Sequence, residues 1–211
     1  MRLYMKIYEF PIAPNARRVS IFLAEIELEI ERINVDIRGG ENLTPEFKEK
    51  AANGLIPFLE LDDGTCICES IAICRYLESV HGQPVPSLFG ESPLEQANIE
   101  MWHRMVEFQI MVPLLQAFRN ISGIYEDREN INQEWGEESK QRFIDALSTF
   151  EVQLGAQPFV AGERFSIADI TLFSFLNFAR VIKFKLDEDT PNLSHWFTSM
   201  KARPSIASTE P

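Results

Sequence analysis

Between Asn53 and Glu78 the chain gathers residue types that could hold a small charged peptide. Pro57 follows Ile56 at the entrance of a short apolar strand, Phe58 to Leu61. Proline brings no N–H to that strand, and an X-Pro bond tolerates the cis form, which turns the preceding N–H and C=O outward. Asp63-Gly64 reverses the chain, and Thr65 to Cys68 form a second strand. Glu69 and Ser70 then open a helix whose apolar positions include Ile73, Cys74, Leu77 and Val80. At a helix N-terminus, backbone N–H groups and a hydroxyl can hold a carboxylate while Glu69 takes an ammonium. The chemistry implied is a grip on an extended peptide with a free amino-acid end.

Other candidates fall earlier. The loop Phe10 to Val19 contains Ile12, Ala13 and Asn15, with Pro14 suited to the first turn of a helix. Asn15 carries an NH2 donor there; equally, it could satisfy its own helix start. Cys66, Cys68 and Cys74 show neither a Cys-x-x-Cys pair nor zinc spacing. They read as small buried hydrophobes in a reducing compartment. His81 and His103 have no ligand partner at metal spacing, so no metal is expected.

These groups need elements to position them. Residues 5–10 predict a strand and 14–26 a helix with Val19, Phe22, Leu23 and Ile26 as its apolar stripe. Glu31 to Asp36 resume strand character, and Thr44-Pro45 start a short helix by a threonine cap and a proline at the first position. With the hairpin and helix of 53–78, the order is βαβ-α-ββα, that of a thioredoxin-like domain over 1–80. Residues 81–92, rich in Gly, Pro and Ser, read as a linker. An all-helical domain is expected over 93–211. Leu94, Ala97, Met101, Met105, Phe108, Val112 and Leu115 trace a long helix that Pro113 should bend. Residues 121–133 read as a mobile polar connection and 134–154 as another helix. Ser166-Ile-Ala-Asp169 is a capping box before an apolar run, which predicts a buried central helix.

The 211 residues allow one large domain or two small ones, and 45% hydrophobic with 25% charged residues is ordinary for a soluble globular protein. No apolar run approaches the ~20 residues of a membrane span, and the N-terminus lacks the pattern of a signal peptide. The expected compartment is the cytoplasm. A net charge of −12 argues against nucleic acid and anionic membrane as partners.

Asn53-Gly-x-Ile-Pro, the hairpin, and Glu69-Ser-x-Ala-Ile-x-x-Tyr-Leu together resemble the glutathione-binding half of the soluble glutathione transferases, a similarity that extends over roughly residues 5–205. The resemblance implies glutathione as co-substrate, a homodimer, and transfer of the glutathione thiol to a small apolar electrophile or a disulfide. It maps Ile56, ahead of Pro57, to the backbone that pairs with the cysteinyl segment, Leu55 to the place where transferases often carry a Gln or Lys toward the glycyl carboxylate, and Glu69 and Ser70 to the γ-glutamyl end. Glutathione is anionic, so an acidic chain must hold it with local groups, including helix N-termini, outward N–H groups and Arg17 or Arg18.

A thiol of pKa ~8.5 needs a fall of ~1.5 units, or ~2 kcal/mol, to be half ionised at pH 7. One hydrogen bond to the sulfur and a nearby helix N-terminus together have that size. Serine-type transferases supply a hydroxyl where this chain has Ala13, which cannot donate. The Pro14-Asn15 pair is similar to the nu-type bacterial transferases, in which an asparagine lies near the sulfur. Tyr8 is the rival donor. The resemblance places the second substrate between the loop 10–13 and the first long helix, with Phe10, Ile12, Ala13, Trp102, His103, Phe108 and Met111, and further along Phe118 and Tyr125, as its wall. The Ala13 departure leaves a second reading open: a transferase-like protein that binds partners without catalysis.

Overall fold

The computed structural model describes residues 4–81 and 86–210. It divides into two compact units, one running to Ser87 and rejoined from Pro204 onward, the other Leu88–Arg203.

The first unit is built on a four-stranded sheet of order β2-β1-β3-β4. Its strands are β1 (Lys6–Glu9), β2 (Glu31–Asn34), β3 (Phe58–Glu60) and β4 (Cys66–Cys68). β2 runs parallel to β1, whereas β3 is antiparallel to β1 and to β4. The parallel step is bridged by α1 (Pro14–Glu25), and α2 (Pro45–Lys50) and α3 (Ser70–His81) complete the order read from the sequence. This is the thioredoxin-like arrangement. Val35, Phe47, Ala51 and Phe58 form one core cluster, with Tyr8, Ile56, Cys66 and Cys68 packed against it.

The second unit is helical: α4 (Pro93–Met105), α5 (Val112–Ser122), α6 (Gln133–Ala156), α7 (Ile167–Phe178) and α8 (Pro191–Lys201). Just before Pro113 the chain passes through a π-helical turn over Val106–Met111, where the Val112 N–H reaches back five residues to the Glu107 carbonyl. Proline has no N–H to continue the ordinary ladder, and a wider turn just before it is one way to rearrange the carbonyls. Helix α7 is buried on nearly every side and begins with both halves of the capping box. Asp169 accepts from the Ser166 N–H at 3.0 Å, the Val160 N–H at 2.9 Å and the Trp196 indole at 3.2 Å.

Two boundaries differ from the sequence reading, and one connection proves more structured than its composition suggested. The segment from Pro204 belongs with the first unit: α9 (Pro204–Ala207) packs on α1, where Arg17 Nη2 donates to the Ile206 carbonyl at 3.4 Å and Ser205 bonds to Glu25. The expected linker is only partly a linker. Residues 82–85 lie outside the described residues, but Leu88 and Phe89 are buried, and the Leu88 carbonyl accepts from the Ile167 N–H at 3.0 Å. The connection 121–133 is knitted by successive turns, with Arg119 and Arg128 both over the Tyr125 ring, at 5.0 and 5.7 Å. Its polar composition hid those cation–π contacts.

Candidate functional site

The Ile56-Pro57 bond is cis. Pro57 is buried and Ile56 half-buried, and among the described residues the main chain of Ile56 makes no hydrogen bond. Leu55 is exposed, its N–H donating to Asn53 Oδ1 at 3.0 Å. The strand edge here is therefore not closed by the chain's own backbone at Ile56.

Glu69 and Ser70 stand where β4 passes into α3. The Glu69 carbonyl accepts from the Ile73 N–H at 3.0 Å, which makes Glu69 the helix cap. It does so with φ +70°, a left-handed conformation that a side chain disfavours. Glu69 is exposed, and its Oε1 accepts from Asn53 Nδ2 at 3.2 Å. Ser70 is buried, and its Oγ accepts from Arg18 Nη1 at 2.7 Å. A guanidinium only donates, so the Ser70 proton is directed elsewhere, and no described residue accepts it. The first N–H groups of α3 also lack intrahelical partners. An exposed carboxylate, a spare O–H and a helix N-terminus thus lie side by side, the donor set that an α-amino acid group requires.

Asn15 is the second residue of α1. Ala13, at the cap, has no side-chain hydrogen bond, and the half-buried Asn15 amide bonds to no described residue. It does not satisfy its own helix start, so its NH2 remains an available donor. Tyr8 is engaged elsewhere. Its ring stacks on Phe58 at 4.4 Å, its Oη is 3.3 Å from Lys50 Nζ, and Lys50 in turn binds Glu60 at 2.9 Å. Burial, then the hydrogen bond with Glu60, pushes the Tyr8 phenol above its ordinary pKa.

Burial disfavours the thiolate form of all three cysteines. Burial pushes Cys74 up to about 12 and raises Cys66 and Cys68 above the ordinary thiol value. Cys66 and Cys68 are only half-buried, because β4 is an edge strand. Among the described residues no group of three or more His, Cys, Asp or Glu could hold a metal ion.

Of the expected wall residues, Phe10 and Ala13 are half-buried and Ile12 exposed, all in the loop after β1. In the helical unit, Phe108 is exposed, Met111 half-buried, and Trp102 packs edge-on against Phe150 at 6.0 Å. Phe118 packs edge-on against Phe178 at 5.1 Å. His103 has to be corrected. It is fully buried, with Nε2 3.0 Å from Thr171 Oγ1, because its position on α4 turns it into the helical core. Arg18, which the sequence reading offered as a local group for the anion, reaches Ser70 instead, and Asn53, which that reading gave no part beyond its turn, reaches Glu69.

Residues 12–80 match the glutathione S-transferase N-terminal domain, and residues 133–199 match the glutathione S-transferase C-terminal domain. The chain belongs to the glutathione S-transferase family of enzymes. Glutathione S-transferase 2 of Saccharomyces cerevisiae is 35% identical over 210 residues, 98% of this chain and 89% of that protein. The crystal structure of Gtt2 from the same yeast aligns with a TM-score of 0.92 at 34% identity, covering 97% of this chain and 100% of that one. A Gtt2-class transferase of Vibrio parahaemolyticus aligns with a TM-score of 0.85 at 43% identity, covering 97% and 96%. No described helix is long and apolar enough to cross a membrane.

Proposed function

We propose that the protein is a cytoplasmic, homodimeric glutathione transferase that binds glutathione along Leu55, Ile56 and Pro57. The open main chain of Ile56 pairs with the cysteinyl residue by β-augmentation. Ser70 donates its hydroxyl proton to the γ-glutamyl carboxylate, the α3 N-terminus adds its N–H groups, and Glu69 takes the ammonium. The observation that carries this reading is the Ser70 hydroxyl, which accepts from Arg18 and keeps its proton to give.

The sulfur then lies at the start of α1, where Asn15 donates to the thiolate and the helix N-terminus favours its charge. The thiolate attacks an electrophilic carbon or a disulfide sulfur. A new bond to the glutathione sulfur forms as the leaving group departs with the electron pair of the broken bond.

Retention on immobilised glutathione tests the reading. The native protein should be retained and eluted by free glutathione, and Glu69→Ala should flow through. Flow-through of the native protein would sink it. Ala13, which cannot donate to sulfur, favours a protein that binds without catalysis; measurable turnover of a halonitrobenzene, a hydroxyethyl disulfide or a peroxide would exclude that alternative.

A further inference from the structure

We propose that Asn53 is a positioning residue that locks the two anchoring parts of the site together, an inference that rests on the glutathione reading above. Its carboxamide does two things at once. Oδ1 accepts from the Leu55 N–H at 3.0 Å, which fixes the turn leading into Ile56 and Pro57. Nδ2 donates to Glu69 Oε1 at 3.2 Å, which fixes the carboxylate at the start of α3. Only a group with both an acceptor and a donor can make this bridge, and it joins positions sixteen residues apart in sequence.

The neighbouring residues make the bridge effective. Gly54 has φ +63° and is buried, and its carbonyl accepts from Asn42 Nδ2 at 2.8 Å. Asn42 therefore holds the turn from the protein side while Asn53 holds it on the exposed side. Glu69 is a long, exposed side chain that would otherwise sample many rotamers. With Oε1 committed to Asn53, Oε2 remains for an incoming ammonium. Glutathione then meets a carboxylate already aimed, and the ordering cost of binding falls.

The test is glutathione titration of the native protein and of Asn53→Ala, Asn53→Asp, Glu69→Ala and the two double variants. One hydrogen bond of ordinary strength predicts a Kd raised about fivefold in Asn53→Ala. Asn53→Asp retains the acceptor for Leu55 but turns an anion toward Glu69, so it should bind more weakly than Asn53→Ala. In the Glu69→Ala background the Asn53→Asp loss should vanish, and the Asn53→Ala loss should shrink to the part that the Leu55 turn carries. In turnover, KM for glutathione should rise while kcat at saturating glutathione stays at the native value. Native-like binding by Asn53→Asp would show that only the Leu55 turn matters and would overturn the proposal. Equal losses with and without Glu69 would also overturn it. Failure of the native protein to bind glutathione would remove the underlying reading, a result distinct from either.

Discussion

Arg18 Nη1 lies 2.7 Å from Ser70 Oγ, joining α1 to the start of α3 across 52 residues of sequence with both side chains buried. A buried donor that loses its acceptor costs about 1–3 kcal/mol. Ser70→Ala should therefore lower stability by about that amount in chemical denaturation. It should also raise the Kd for glutathione at least tenfold, since a hydrogen bond to a charged carboxylate is worth about 1.5–3 kcal/mol. A stability loss with unchanged Kd would make Ser70 a fold residue only.

Asn15→Ala should lower kcat/KM at least tenfold, because a thiolate without its donor is less populated at neutral pH. The sign is fixed by the charge state. Losing a bond to the anion raises the thiol pKa, so the rise of the pH–rate profile should move to higher pH. Tyr8→Phe should leave the profile in place, since the phenol is held by Lys50 and Glu60. Steady-state rates across the pH range separate the two, and the opposite pattern would return the donor role to Tyr8.

Much of this site was legible because its residues are neighbours in the chain. Ile56-Pro57 and Glu69-Ser70 sit at element boundaries, and boundaries announce themselves through proline, glycine and caps. The Ser166–Asp169 box was readable for the same reason. Asn53 was visible only as half of an Asn-Gly turn. Its bond to Glu69 depends on how the β3–β4 hairpin folds back beside the turn, which no local pattern encodes. His103 failed in the other direction: helical spacing placed it on a helix, but its place in the core, 3.0 Å from Thr171 Oγ1 on α7, depends on packing far along the chain. The C-terminal segment likewise returns to α1 through bonds of Arg17 and Glu25 that leave no periodic trace.

Asp169 is fully buried, and desolvation pushes its carboxyl from 3.8 up to about 6 despite the donors around it. Between those values the folded protein binds the proton more tightly than the unfolded chain does. This contribution is therefore fully present below about pH 4 and is lost as pH rises toward 6, by on the order of 3 kcal/mol. Asp169→Asn abolishes that titration, so denaturation midpoints measured from pH 4 to pH 7 should lose this part of their slope. The variant should also be less stable by about 1–3 kcal/mol, because its NH2 would face the Ser166 N–H. An unchanged slope would mean that Asp169 is ionised throughout.

Leu94, Met101 and Phe108 are 81%, 49% and 64% exposed, and they recur every seven residues along α4 and the π-helical turn. Seven residues are nearly two helical turns, so Leu94 and Met101 share one face of α4. Single exposed apolar residues are common, but three at this spacing make a stripe whose burial a partner would favour. A second copy packed on this face in the proposed homodimer would bury it. Each side chain buried would contribute about 1.5–3 kcal/mol, and a charge placed there would instead be desolvated without a partner. Leu94→Glu combined with Met101→Glu should convert a dimer to a monomer in sedimentation, with the far-ultraviolet circular dichroism unchanged because both sites are exposed. A native protein that sediments as a monomer, or a double variant that remains dimeric, would move the interface away from this face.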